Sequence, residues 1–175
     1  MSTQRSRRPC SIWLLAVALV VAASAGACDG EPPVVQPIAF SHKIHVADEE
    51  IPCTDCHVGA ETGVHATLPA LSRCLLCHMK PQGDPPSERE PRVRELASAH
   101  VAIRWIQVTR NPGHVYFSHR AHVTLAEMPC SDCHGDVARW ERPPTAGNPA
   151  LMSMDACLRC HRERGASTDC DACQQ

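Results

Sequence analysis

Two cysteines three positions apart, with a histidine directly after the second, occur four times in this 175-residue chain: Cys53-Thr-Asp-Cys56-His57, Cys74-Leu-Leu-Cys77-His78, Cys130-Ser-Asp-Cys133-His134 and Cys157-Leu-Arg-Cys160-His161. On a helical turn, positions i, i+3 and i+4 leave from one face. Two thiols on that face can add to the two vinyl groups of a haem, and the adjacent imidazole can reach its iron. The spacing is that of c-type haem attachment. It predicts four covalently bound haems c, with His57, His78, His134 and His161 as proximal iron ligands. Zinc would use the same cysteine spacing, but does not explain a histidine placed after the second cysteine every time. A disulfide framework has no use for the histidines, and a thiol oxidoreductase needs one such cysteine pair, not four.

Six-coordinate iron needs a second axial ligand at each site. His42 and His45 are spaced i, i+3, as are His119 and His122, and each pair precedes a cysteine motif by the same distance. These four are the expected distal ligands. His65, in the loop before Cys74, is a further candidate. The corresponding loop of the second half holds Met152 and Met154 instead, and a thioether can also ligate iron, which makes Met154 a weaker candidate. His100 and His114 remain over. The tail pair Cys170-Asp-Ala-Cys173 is followed by Gln174, so a fifth haem there is doubtful and a degenerate site is expected.

The elements that position these residues come from a duplication. Phe40 to His57 aligns without gaps on Phe117 to His134, with 11 of 18 residues identical at an offset of 77. The second motif of each copy follows at an offset of 83, which puts a six-residue insertion into the loop holding Pro143, Pro144 and Pro149. Two dihaem units are therefore expected at 39–80 and 116–163. They are joined by a surface linker at 81–115 and flanked by an N-terminal linker at 28–38 and a tail at 164–175. Within the linker, Arg92 to Ala99 reads as two helical turns and Ile103 to Val108 as a short extended piece. With 15 prolines but only three Trp, one Tyr and two Phe, the chain is poorly equipped to build an ordinary aromatic core. Short helices at the motifs, irregular loops and little sheet are expected. The net charge of −2 gives no reason to expect nucleic-acid binding.

Residues 1–27 read as a signal peptide: Arg5, Arg7 and Arg8, an apolar run from Ser11 to Ala23, then Ala25-Gly26-Ala27-Cys28. The ending resembles a bacterial lipobox with Cys28 as the lipidated residue. Plain cleavage and an uncleaved anchor are the alternatives. Export would put the protein on the periplasmic side of the bacterial cytoplasmic membrane.

Phe40-Ser-His-Lys-Ile-His45, followed by paired attachment motifs, resembles the class III multihaem cytochromes c of the c3/c7 type. That resemblance implies a multihaem cytochrome c fold in which the haems form the core of a duplicated dihaem unit. It also implies that His42 serves the haem of Cys53/Cys56 and His119 that of Cys130/Cys133, while His45 and His122 reach other haems. Gln36-Pro-Ile-Ala-Phe-Ser-His-Lys, His65-Ala-Thr-Leu-Pro, Trp105-Ile-Gln-Val and Ser153-Met-Asp-Ala-Cys-Leu-Arg-Cys-His are further similar to the pentahaem subunit of alternative complex III. Related small cytochromes accompany membrane respiratory complexes. The resemblance implies an electron relay rather than an enzyme, working between a quinol-oxidising or other respiratory complex and a downstream acceptor. The alternative is a multihaem reductase of a small oxyanion, which needs one open haem site.

Overall fold

The computed structural model describes residues 33–174. Cys28 and the expected signal segment lie outside the described residues. Pro33 onward forms one compact unit. Its regular structure is short: α1 (Cys53–Cys56), α2 (Leu71–Cys74), α3 (Pro91–Ser98), α4 (Ser131–His134), α5 (Pro149–Met152) and α6 (Met154–Arg164), with two π-helical turns at Lys43–Asp48 and Ala121–Leu125. Among the described residues, strand pairing is limited to an isolated bridge between Val115 and Gln174. Among the described residues, no helix is long and apolar enough to cross a membrane.

The duplication is reproduced in backbone detail. Each π-helical turn closes with the same bonds: Ile51 N–H donates to His45 O at 2.9 Å and Met128 N–H to His122 O at 3.0 Å. The residue before each donor, Glu50 or Glu127, takes a left-handed φ of 55° or 50°. Such a conformation persists only where the surrounding contacts hold it, and here both copies hold it.

Apolar burial is sparse. Ile38, Val93 and Leu96 form the buried cluster, with Phe40, Leu71, Leu75, Ile103 and Trp105 packed on it. Among the described residues no side chain is completely buried. The segment read as a linker, 81–115, therefore supplies much of the apolar core: α3 lays Val93 and Leu96 against α2, and Trp105 donates its indole N–H to Pro69 O at 2.9 Å. Ile103 to Val108 runs irregularly, tied to Gln36, whose side chain both accepts from Ile106 N–H and donates to Ile106 O.

The two copies are interlocked. The first π-helical turn packs on the 3-10 turn Val137–Arg139 of the second copy, with Lys43 N–H donating to Trp140 O at 3.0 Å. In return, the loop 59–67 of the first copy accepts from His119 N–H through Val64 O, from Arg120 N–H through Gly63 O, and from the Thr124 hydroxyl through Glu61 O.

Candidate metal centres

Three of the motifs fold as the same tight turn. His57 N–H donates to Cys53 O at 2.9 Å, His78 N–H to Cys74 O at 2.9 Å, and His134 N–H to Cys130 O at 3.0 Å. The fourth lies within α6. Ser153 caps that helix by accepting from Ala156 N–H at 3.2 Å. Gly165, at φ 66°, ends it in the left-handed conformation that glycine adopts without strain.

The histidines meet in pairs, one from a His-x-x-His turn and one from a cysteine motif. Ring centres lie 5.9 Å apart for His45 and His78, 6.4 Å for His119 and His134, and 6.1 Å for His122 and His161. His42 stands beside His57. A metal sits about 2 Å from an imidazole nitrogen, so two imidazoles on opposite sides of one metal have ring centres about 6 Å apart. The observed separations fit one iron per pair.

Adjacent groups fix six of the eight rings so that one nitrogen is free. His57 Nδ1 is 2.7 Å from Thr67 O, His161 Nδ1 2.6 Å from Ser167 O, and His78 Nδ1 2.6 Å from a Glu90 carboxylate oxygen. Among the distal rings, His45 Nδ1 is 2.8 Å from Ser41 O, His122 Nδ1 2.8 Å from Ser118 O, and His119 Nδ1 3.0 Å from Val64 O. With Nδ1 donating to these acceptors, the other nitrogen carries the lone pair a metal needs. His42 differs, because its Nδ1 is buried without a partner. Burial first, then His57 and His45, lowers its pKa to about 4. Burial, with His119 and His57 nearby, also lowers His134. Both rings stay neutral, the form that ligates.

Phe40 stacks on His45 (4.4 Å, 28°) and meets His42 edge-on (4.9 Å, 89°); Phe117 stacks on His122 (4.5 Å, 24°) and meets His119 edge-on (4.9 Å, 90°). One phenyl ring thus sets both distal rings of its copy. The spacing of the histidines did not reveal this role, although Phe and Ser precede the first histidine in both copies. Thr67, Glu90 and Ser167 likewise carry no sequence signature as ring acceptors. His65 stands exposed in the 59–67 loop, and Met154 is 41 % exposed at the start of α6. Neither takes part in the four pairs.

Burial raises the Cys74 thiol, and Cys56 nearby adds to the rise. Burial and the Cys53 thiol raise Cys130; burial and Cys160 raise Cys133; burial and Cys173 raise Cys157. Thiols of different motifs thus neighbour one another. Arg73 bridges to Asp55 at 2.7 Å within the first copy, and Arg164 to Asp132 at 3.0 Å within the second.

These donors fit haem c better than a bare ion. Among the described residues, no three His, Cys, Asp or Glu side chains converge as a metal-ion site. Paired imidazoles would leave room for a macrocycle around the metal, and all ten described cysteines are free thiols that could hold it. Apolar Val58, Leu76 and Met79, exposed beside His57 and His78, suit the face of such a macrocycle. Short helices, scant core and paired imidazoles next to thiol pairs define a multihaem c-type cytochrome.

The family model for cytochrome c7 and related cytochrome c matches residues 115–175. The chain is also 34 % identical, over 158 residues, to the multiheme cytochrome c subunit of menaquinone reductase from Nitratidesulfovibrio vulgaris, covering 79 % of this chain and 74 % of that one. This chain belongs to the class III multihaem cytochrome c family. It carries covalently bound haem c and works as an electron-transfer protein, not as a catalyst of bond chemistry.

Proposed function

We propose that the chain is a tetrahaem cytochrome on the periplasmic side of the cytoplasmic membrane, relaying electrons between a respiratory membrane complex and a further carrier. The observation that carries this reading is the set of histidine pairs His45/His78, His119/His134 and His122/His161, with His57, the histidine of the remaining motif, near His42. Haem iron supplies one-electron chemistry between its ferrous and ferric states. The residues do the rest. The cysteine pairs would hold each group covalently, and the paired imidazoles would each supply a ligand to its iron, which would leave no position for an oxyanion substrate. Interlocked copies would keep the sites at fixed separations. The similarity to a subunit of a menaquinone reductase supports a quinone-linked membrane complex as partner. Cys28, as a lipidated residue, would hold the chain at the membrane surface.

Mass spectrometry of the mature protein, with absorption and electron paramagnetic resonance spectra, tests the reading. Four haems, a lipid on Cys28 and wholly low-spin ferric signals are expected. Fewer than four haems, or a high-spin ferric site in the intact protein, would overturn the tetrahaem relay. A mature chain without lipid would refute the anchor alone.

A further inference from the structure

His78 and His161 hold equivalent places in the two copies, yet their Nδ1–H groups go to different acceptors. His161 donates to the neutral Ser167 carbonyl at 2.6 Å, and His78 to the Glu90 carboxylate at 2.6 Å. Glu90 is 6 % exposed and directly precedes α3. Gln82 N–H donates to both its oxygens at 3.0 Å, and Arg94 lies 3.1 Å away as an ion-pair partner. Two N–H donors and a guanidinium are the partners of a carboxylate, and among the described residues no acceptor faces it.

We infer that Glu90 is a positioning residue that sets the haem at Cys74/Cys77 to a lower reduction potential than its duplicate at Cys157/Cys160. A carboxylate behind a ligating imidazole raises the basicity of the ligand and places negative charge where it favours ferric over ferrous iron. A backbone carbonyl does the first more weakly and the second hardly at all. The difference makes two otherwise duplicated sites unequal: electrons leave the Glu90 site more readily than its duplicate. The inference rests on His78 being an iron ligand. If that reading fails, the wild-type protein already shows a missing haem or a high-spin site.

The test is a potentiometric titration of the full haem-loaded protein as wild type, Glu90→Gln and Arg94→Gln. Glutamine keeps an acceptor for His78 but removes the charge. One low-spin step is expected to shift upward by roughly tenfold in its one-electron equilibrium, about 59 mV, with the other steps unmoved. Glu90→Asp restores the low value. Arg94→Gln, which leaves the carboxylate unopposed, shifts the same step downward. Unchanged midpoints in Glu90→Gln, or an equal shift of every step, overturn the inference. Should Glu90→Gln fail to mature, Arg94→Gln decides alone, and an unshifted step there overturns it.

Discussion

His119 and His134 face each other as parallel rings, their planes 1° apart and their centres separated by 6.4 Å. This separation is what two imidazoles ligating one metal need. His119→Ala removes one side only. Both thioether links and His134 remain, so the haem count is expected to stay unchanged while one site in four turns high-spin and its ferrous form binds carbon monoxide. Absorption and paramagnetic resonance spectra check this. The same substitution at His65, which is outside the four pairs, is expected to leave every site low-spin.

Phe117 touches both distal rings of its copy, one stacked and one edge-on. Such aromatic pairs are worth about 1 kcal/mol beyond their buried area. Phe117→Leu is expected to lower thermal stability by about that amount, and to broaden the low-spin signals of two sites, because the rings of His119 and His122 lose a common support. Phe40→Leu is expected to do the same to the other two. Broadening confined to one site would show that the phenyl ring supports a single ligand.

Gly59 lies where the 59–67 loop folds back on itself: its N–H donates to Ala66 O at 3.0 Å, and a Cβ there would run into the His65 carbonyl and the Thr67 side chain. Thr67 O holds His57, and Val64 O holds His119. Gly59→Ala is therefore expected to destabilise the protein by about 1–3 kcal/mol, within the range for overpacking, and to disturb one site in each copy. Denaturant unfolding gives the first number. The spectra tell whether the sites of His57 and His119 suffer together.

The sequence made the sites legible to the extent that the chemistry is local. Cys-x-x-Cys-His is a contiguous pattern, and the ungapped repeat from Phe40 to Phe117 exposes the His-x-x-His pairs. A regular helical turn would send both histidines of a pair off one face. With the wider π-helical turns the two histidines have different neighbours: His42 has His57 nearby, and the ring centre of His45 lies 5.9 Å from that of His78. Nor could spacing show which groups orient the rings. Ser167 O and Thr67 O are backbone acceptors available to any residue type. Glu90 reaches His78 only because α3 folds back onto α2 through Val93, Leu96 and Leu71, a long-range contact inside a stretch whose prolines read as a linker. The interlocking of the copies is likewise encoded by no local pattern.

Gln174 occupies the place of a proximal histidine in a turn that is otherwise complete. Its N–H donates to Cys170 O at 2.8 Å, matching the bonds made by His57, His78 and His134, and Cys173 N–H approaches Cys170 O at 3.3 Å, as Cys77 N–H approaches Cys74 O. Tyr116 N–H, donating to Cys173 O at 2.8 Å, pins the turn beside the fourth motif, where Cys173 neighbours Cys157. Thiols and backbone are thus in place, and the imidazole is the missing part. Wild-type protein is expected to carry four haems and Gln174→His five, counted by mass spectrometry of the mature chain. Five haems in the wild type would mean that the turn and thiols suffice for attachment without a proximal imidazole. Four in the variant would mean that the tail pair has no room for the group, whatever side chain follows Cys173.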